Sequence, residues 1–144
     1  DEIIGPILLR RWLEPIADGP DPVTDLIAAF RRYVEEDIAS GHWVQGCPLN
    51  NLAQEMAPLD DGFHDRIDAL YTQWRAAIAA ALTRGIAAGT VRPSINPASA
   101  AALIVAGQMG VWGTGKSSRD PAVMRLAADA VCDYLSSLKS PTLP

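Results

Sequence analysis

Phe63, Ile67, Leu70, Trp74, Ile78, Leu82 and Ile86 recur at steps of three and four through a segment running from about Asp60 to Gly85 and just past it. No other feature limits the chain so strongly. Only an α-helix gathers such positions on one side, and from first to last they span roughly 35 Å at 1.5 Å per residue. A helix of that length with one apolar face has to be met by other helices. Ala76, Ala77, Ala79, Ala80, Ala81, Ala87 and Ala88 leave little bulk elsewhere along it. Just upstream, Gly46-Cys47-Pro48-Leu49-Asn50-Asn51-Leu52-Ala53-Gln54-Glu55-Met56 describes a short helix entered by a tight turn. Its proline stands where the first helical N–H would have no partner, and Leu49, Leu52 and Met56 keep helical spacing. Two such helices can wall a hydrophobic cavity.

The rest of the chain reads the same way. A first helix is expected from about Ile3 to Leu13, carrying Ile3, Ile4, Ile7, Leu8 and Trp12, stopped by Pro15 and followed by a loop from Asp18 to Pro22. Asp21 caps a second helix with Pro22 at its first position. Val23, Leu26, Ile27, Phe30, Tyr33, Val34 and Ile38 form its apolar face, Asp25, Arg31, Arg32, Glu35 and Glu36 lie largely opposite, and Ser40-Gly41 ends it. Gly89 to Asn96 is a connector, and Asn96-Pro97 opens a fifth helix to about Gly113. Asp120-Pro121 opens the last helix, with Val123, Ala127, Ala130, Val131, Tyr134 and Leu138 on one stripe and a frayed tail from Ser140 to Pro144. With no strand alternation longer than a few residues and no internal repeat, the expected fold is all-α, a bundle of about six helices forming a single domain over residues 1–144.

The fifth helix is apolar nearly all round. Leu103, Ala106, Gly107 and Gly110 line a small-residue face, whereas Ile104, Val105, Gln108 and Trp112 line a bulkier one. Both sides should therefore be covered, one of them by a partner subunit. Twelve basic residues against seventeen acidic give a formal charge of −5, and the basic ones are scattered, so the chain lacks the electrostatic footprint of a nucleic-acid binder. Two cysteines, Cys47 and Cys132, without a signal peptide point to reduced thiols in the cytoplasm. The apolar run from Ala98 to Gly113 is shorter than the roughly 20 residues needed to span a bilayer. The chain starts without methionine and inside a helical pattern, from which a preceding segment is expected.

One chemical motif asks for a decision. Gly110-Val111-Trp112-Gly113-Thr114-Gly115-Lys116-Ser117 satisfies the phosphate-loop pattern G-x-x-x-x-G-K-[ST], and makes a small helical enzyme or nucleotide-binding protein the alternative reading. A phosphate cradle needs a helix starting at the lysine so that N–H groups converge on the anion, and Asp120-Pro121 starts the next helix too late. It also needs a parallel sheet and a second strand ending in a magnesium-holding aspartate. The segment is read instead as a glycine-rich turn between two helices. Cys47 with His42 or His64 lacks an orienting acid and an oxyanion device, so Cys47 is taken as a small buried hydrophobe. Asp60, Asp61, Asp65 and Asp68, with Arg66 among them, read as an acid-rich helix start rather than a metal site. Neither a catalytic residue, a metal nor a cofactor is expected.

Trp43, Phe63, Tyr71, Trp74 and Trp112 sit on or beside the helices that should meet in the middle. Core filling and ligand contact are both open to each of them. Gln108, an amide on a buried face, needs hydrogen-bond partners, which a small molecule in an apolar pocket or a subunit contact would supply.

The Gly46 to Met56 run, Trp74 on a long helix, Gly85 to Val91, Asn96-Pro97, Gln108-Met109-Gly110, Lys116 and Arg119-Asp120-Pro121 together resemble the C-terminal effector-binding and dimerisation domain of TetR-family transcriptional regulators. The resemblance extends over nearly the whole chain. It implies a transcriptional regulator, a repressor in the usual case, whose DNA-binding helix-turn-helix would precede Asp1 and is absent from this sequence. It implies a homodimer whose last two helices pair with their copies as a four-helix bundle, through Gly107, Gly110, Ala127, Ala130, Val131 and Tyr134. It also implies a small apolar or aromatic effector held by Trp43, Met56, Phe63, Leu70, Trp74, Ile104, Gln108 and Trp112. Binding of that effector would tilt the first helix and respace two DNA-reading modules whose half-sites lie about one helical turn apart.

Overall fold

The computed structural model describes residues 4–141 and contains six α-helices: α1 (Ile4–Leu13), α2 (Pro22–Ser40), α3 (Pro48–Met56), α4 (Asp61–Ala88), α5 (Pro97–Ser118) and α6 (Pro121–Ser137). Single 3-10 turns, Glu14–Ile16 and His42–Gln45, follow α1 and α2. Among the described residues the sole β feature is an isolated bridge between Val91 and Lys139. The expected start at Ile3 and the end of the expected tail, residues 142–144, lie outside the described residues.

Local chemistry explains the boundaries. The carboxylate of Asp21 accepts from the Thr24 N–H at 3.1 Å, that of Asp60 from Phe63 at 2.8 Å and that of Asp120 from Ala122 at 2.9 Å, while the Asn96 amide oxygen accepts from Ser99 at 3.1 Å. Each such cap is worth about 1 kcal/mol. Proline occupies the first turn of α2, α3, α5 and α6, where its missing N–H has no partner to lose. Gly41 and Gly89, both at φ 79°, close α2 and α4 in the left-handed region.

The phosphate-loop reading is overturned here, and so is the glycine-rich turn preferred to it. Gly110, Gly113, Gly115 and Lys116 all lie inside α5, which runs on to Ser118 and ends only at Arg119, whose N–H bonds the Gly115 carbonyl from a left-handed conformation. Helical N–H groups are consumed by carbonyls one turn back, so none converges on an anion. Gly115 is glycine for packing: a Cβ there would stand 2.8 Å from Met124 Sδ on α6.

α5 packs against α4 and α6, and α2 packs against α6, so that α5 is the central element; α1 and α3 cover α4. Phe30 and Leu26 from α2, Trp74, Ile78 and Leu82 from α4, Ile104 and Val105 from α5 and Met124 and Leu135 from α6 are all essentially solvent-free. The two faces of α5 separate cleanly. Ile104, Val105, Gln108 and Trp112 point inward, whereas Leu103 is 51% exposed and Ala102, Ala106 and Gly110 lie beside it on an uncovered outer surface. Leu126 on α6 is 68% exposed. Within one chain, therefore, the small-residue face stays bare at Leu103, Ala106 and Gly110, while Gly107, expected on that face, lies half-buried against Val131 of α6.

Candidate functional site

Trp12 on α1 stands at the centre of the inner aromatic cluster. Its ring lies 4.7 Å from Phe30, 5.1 Å edge-on to Tyr33, 5.6 Å edge-on to Trp112 and 6.0 Å from Trp74. Pairs of this geometry add about 0.5–1.5 kcal/mol each beyond area burial. α1 is thus keyed into α2, α4 and α5 by one side chain.

Beside Trp12 sits a charged connection between the same helices. The Asp37 carboxylate near the end of α2 accepts 2.9 Å from Arg11 Nη2 and 2.7 Å from Trp112 Nε1, and Asp37 is buried. The Arg11 guanidinium covers the Tyr33 ring at 4.2 Å, and the Tyr33 hydroxyl donates to the Arg11 carbonyl at 2.7 Å. A carboxylate taken out of water needs such donors, and here they come from α1 and α5 at once.

Next to this network a cleft of ≈320 Å³ opens between α1, the turn after α2 and the start of α3, with Ile7, Leu8, Arg11, Asp37, His42 and Pro48 among its walls. Leu8, Arg11, Asp37, Gly46 and Pro48 also border a smaller inner pocket of ≈40 Å³, whose remaining walls are Trp12, Cys47, Gln108 and Trp112. The Gln108 side chain is 2% exposed and its Oε1 has no hydrogen-bond partner. That is the atom with unspent chemistry. Tyr71 and Trp74 stack at 6.2 Å with planes 7° apart, and the Tyr71 hydroxyl and Trp74 Nε1 are likewise buried without partners. Burial, with the Cys47 thiol close by, drives the Tyr71 phenol far above its ordinary value, so it stays a neutral O–H donor.

Of the eight residues expected around an effector, Gln108 and Trp112 line the inner pocket. Trp74 and Ile104 are fully buried in the adjoining core, whereas Trp43, Met56, Phe63 and Leu70 are half-buried on its periphery. Leu70 borders a separate open groove of ≈370 Å³ between α1 and α4. Of the residues expected at a subunit contact, Gly110 and Ala130 are exposed, and Ala127, Val131 and Tyr134 are half-buried. Gly107 is half-buried, and a Cβ there would meet Val131 Cγ2 of α6 at 3.1 Å.

Sequence reasoning passed over Arg11 and Asp37 and treated Trp12 only as one member of a stripe. The signal for Asp37 was present: it follows Phe30, Tyr33 and Val34 at helical spacing, and an acid on an apolar stripe demands a donor. Lys116, the would-be phosphate lysine, bonds Asn51 Oδ1 at 3.1 Å, and Asn51 Nδ2 donates to the Gln45 carbonyl at 2.7 Å. The lysine therefore fastens the end of α5 to the cleft wall. Among the described residues no group of three His, Cys, Asp or Glu side chains gathers as for a metal ion.

A central helix, α5, with one face turned to the aromatic core and another left bare, is flanked by five more helices. The chain belongs to the family of tetracycline repressor-like C-terminal domains, whose profile matches residues 19–131. Its fold is similar to that of a TetR transcriptional regulator from Chloroflexus aurantiacus (TM-score 0.78, 21% identity, 98% of this chain and 71% of that one). It is similar also to the regulatory protein TetR from Rhodobacter sphaeroides (0.77, 21%, 92% and 70%) and to a TetR-family regulator from Cytophaga hutchinsonii (0.65, 18%, 82% and 73%). No curated protein matches the chain. No described helix is long and apolar enough to cross a membrane.

Proposed function

We propose that the chain is the sensing and pairing half of a TetR-like repressor: it binds a small apolar or aromatic effector, forms a homodimer through α5 and α6, and passes the binding event to a DNA-binding module elsewhere in the whole protein. The observation that carries this reading is the division of α5 into an inner face that ends in Gln108 and Trp112 at the inner pocket and an outer face of Leu103, Ala106 and Gly110 left bare. An apolar helix face of small residues lets a second backbone approach closely, and Leu126 extends the same kind of surface onto α6. The effector would act through Trp12 and the Arg11–Asp37–Trp112 network, because these tie α1 to the helices around the cleft. A ligand that favours one setting of α1 by a few kcal/mol suffices to shift the regulator.

The pairing half is tested by light scattering on the domain at micromolar concentration. Twice the chain mass is expected for the natural sequence, and Leu103→Glu and Gly110→Arg should each return it to one, with unchanged helicity. A natural domain that stays monomeric, or variants that remain dimeric, would overturn it.

A further inference from the structure

We infer that the inner pocket beside Gln108 selects a neutral aromatic molecule carrying a hydroxyl or amino donor at one end, which enters between α1 and the His42–Gln45 turn. The inference rests on the sensing role proposed above and gives that role a ligand class and an orientation.

Volume decides which part of the ligand goes where. The inner pocket, at ≈40 Å³, holds one water-sized group, whose share of liquid volume is about 30 Å³. An aromatic ring does not fit there; it fits the outer cleft of ≈320 Å³ against Ile7, Leu8 and Pro48. The group that reaches the bottom is therefore a hydroxyl or an amine. It meets the Gln108 amide in the pocket wall, whose buried Oε1 lacks a donor. The neighbouring Asp37 carboxylate is an acceptor too, already holding Arg11 and Trp112 on its two oxygens. Both groups thus call for an N–H or O–H, and the cation among the pocket's walls, Arg11, is already neutralised by Asp37, which leaves little to hold a ligand carboxylate there. A methyl ether of the same molecule fails twice, since it has no donor and its methyl overfills the pocket. Such a loss of one buried hydrogen bond corresponds to about tenfold in affinity or more.

The test uses three probes of one shape, 2-naphthol, 2-methoxynaphthalene and 2-naphthoate, titrated into the domain by calorimetry and followed by quenching of tryptophan fluorescence. In the natural sequence 2-naphthol is expected to bind at least about tenfold more tightly than either of the others. In Gln108→Leu, which keeps the bulk and removes the acceptor, the advantage over the ether should fall below twofold. Equal binding of naphthol and its ether, tighter binding of naphthoate, a preference untouched by Gln108→Leu, or no binding of any probe would overturn the inference. The ether comparison needs no variant, so a misfolded Gln108→Leu protein leaves the test standing. Light scattering on the same samples separates the two readings. A dimer that does not discriminate refutes the ligand class alone, whereas a monomer refutes the pairing role.

Discussion

Asp37 is the residue at which most of the site's energetics meet. It is buried, it is charged, and each of its oxygens is occupied by a donor from a different helix. Removing it leaves Trp112 Nε1 without an acceptor and Arg11 without its counter-ion, and Arg11 is only partly able to reach water. Asp37→Ala should therefore cost about 2–3 kcal/mol of unfolding free energy, the range for a hydrogen bond to a charged group plus an orphaned donor. Asp37→Asn keeps an acceptor for Trp112 and should cost less. Urea unfolding followed by tryptophan fluorescence measures both, and equal losses would show that the bond to Trp112 contributes nothing. That Gln108 and Trp112 face inward was legible from their place on the bulky face of an apolar helix. Arg11 was not, because an arginine beside a tryptophan on a short helix looks the same whether its partner is water or a buried acid.

At the scale of elements, caps and stripes were readable and the glycines inside α5 were not. Asp21-Pro22 and Ser40-Gly41 fixed α2 to the residue, and Asn96-Pro97 and Asp120-Pro121 fixed the starts of α5 and α6. α5 was read five residues short because Gly110, Gly113 and Gly115 lower helix propensity by up to about 1 kcal/mol each. Packing reversed that preference, since Met124 fills the space that a side chain at Gly115 would need. α2 and α6 are joined on their outer surface by Arg125, whose Nε and Nη2 donate to the two Glu35 oxygens at 2.8 and 3.0 Å. Those hydrogen bonds hold the Glu35 carboxyl below the usual glutamate range, against a small opposing effect of burial and with added help from the guanidinium charge. The folded-state value is the lower one, so the pair contributes at neutral pH and its contribution disappears as pH falls through that lowered value. Glu35→Gln should thus be slightly less stable than the natural sequence at pH 7 and indistinguishable from it in acid. The neutral difference should shrink in molar salt because the pair is exposed. Urea midpoints across the acid range check the sign, and a gap that widens toward low pH would contradict it.

Across the whole molecule the two ends of the bundle are built differently. The cleft end is assembled from a 3-10 turn, a nine-residue helix and a side-chain chain running from Lys116 through Asn51 to the Gln45 carbonyl. These are contacts that side chains can remake, which suits a surface that receives a ligand. The opposite end is closed by backbone. The Arg92 N–H donates to the Leu138 carbonyl at 2.9 Å, the Ser140 N–H to the Thr90 carbonyl at 3.0 Å, and the Thr90 hydroxyl to the Pro20 carbonyl at 2.6 Å. Three distant stretches of chain meet there around Val91, which is wholly buried, and a side chain at Gly85 would overlap Val91 and crowd Pro22. Residues just past α6 therefore act as a clasp on the connector between α4 and α5. Ending the chain at Ser137 removes the buried Leu138, uncovers Val91 and breaks both backbone bonds. The combined loss should be about 3–4 kcal/mol, from about 2 kcal/mol for one large aliphatic side chain and about 1 kcal/mol for each bond, less what the shortened end recovers from water. Because the clasp lies far from the cleft along α4 and α5, the truncated chain should keep its tryptophan fluorescence maximum while unfolding at lower urea. A truncation that shifts the fluorescence maximum without moving the urea midpoint would mean that the clasp serves the aromatic cluster and not the bundle.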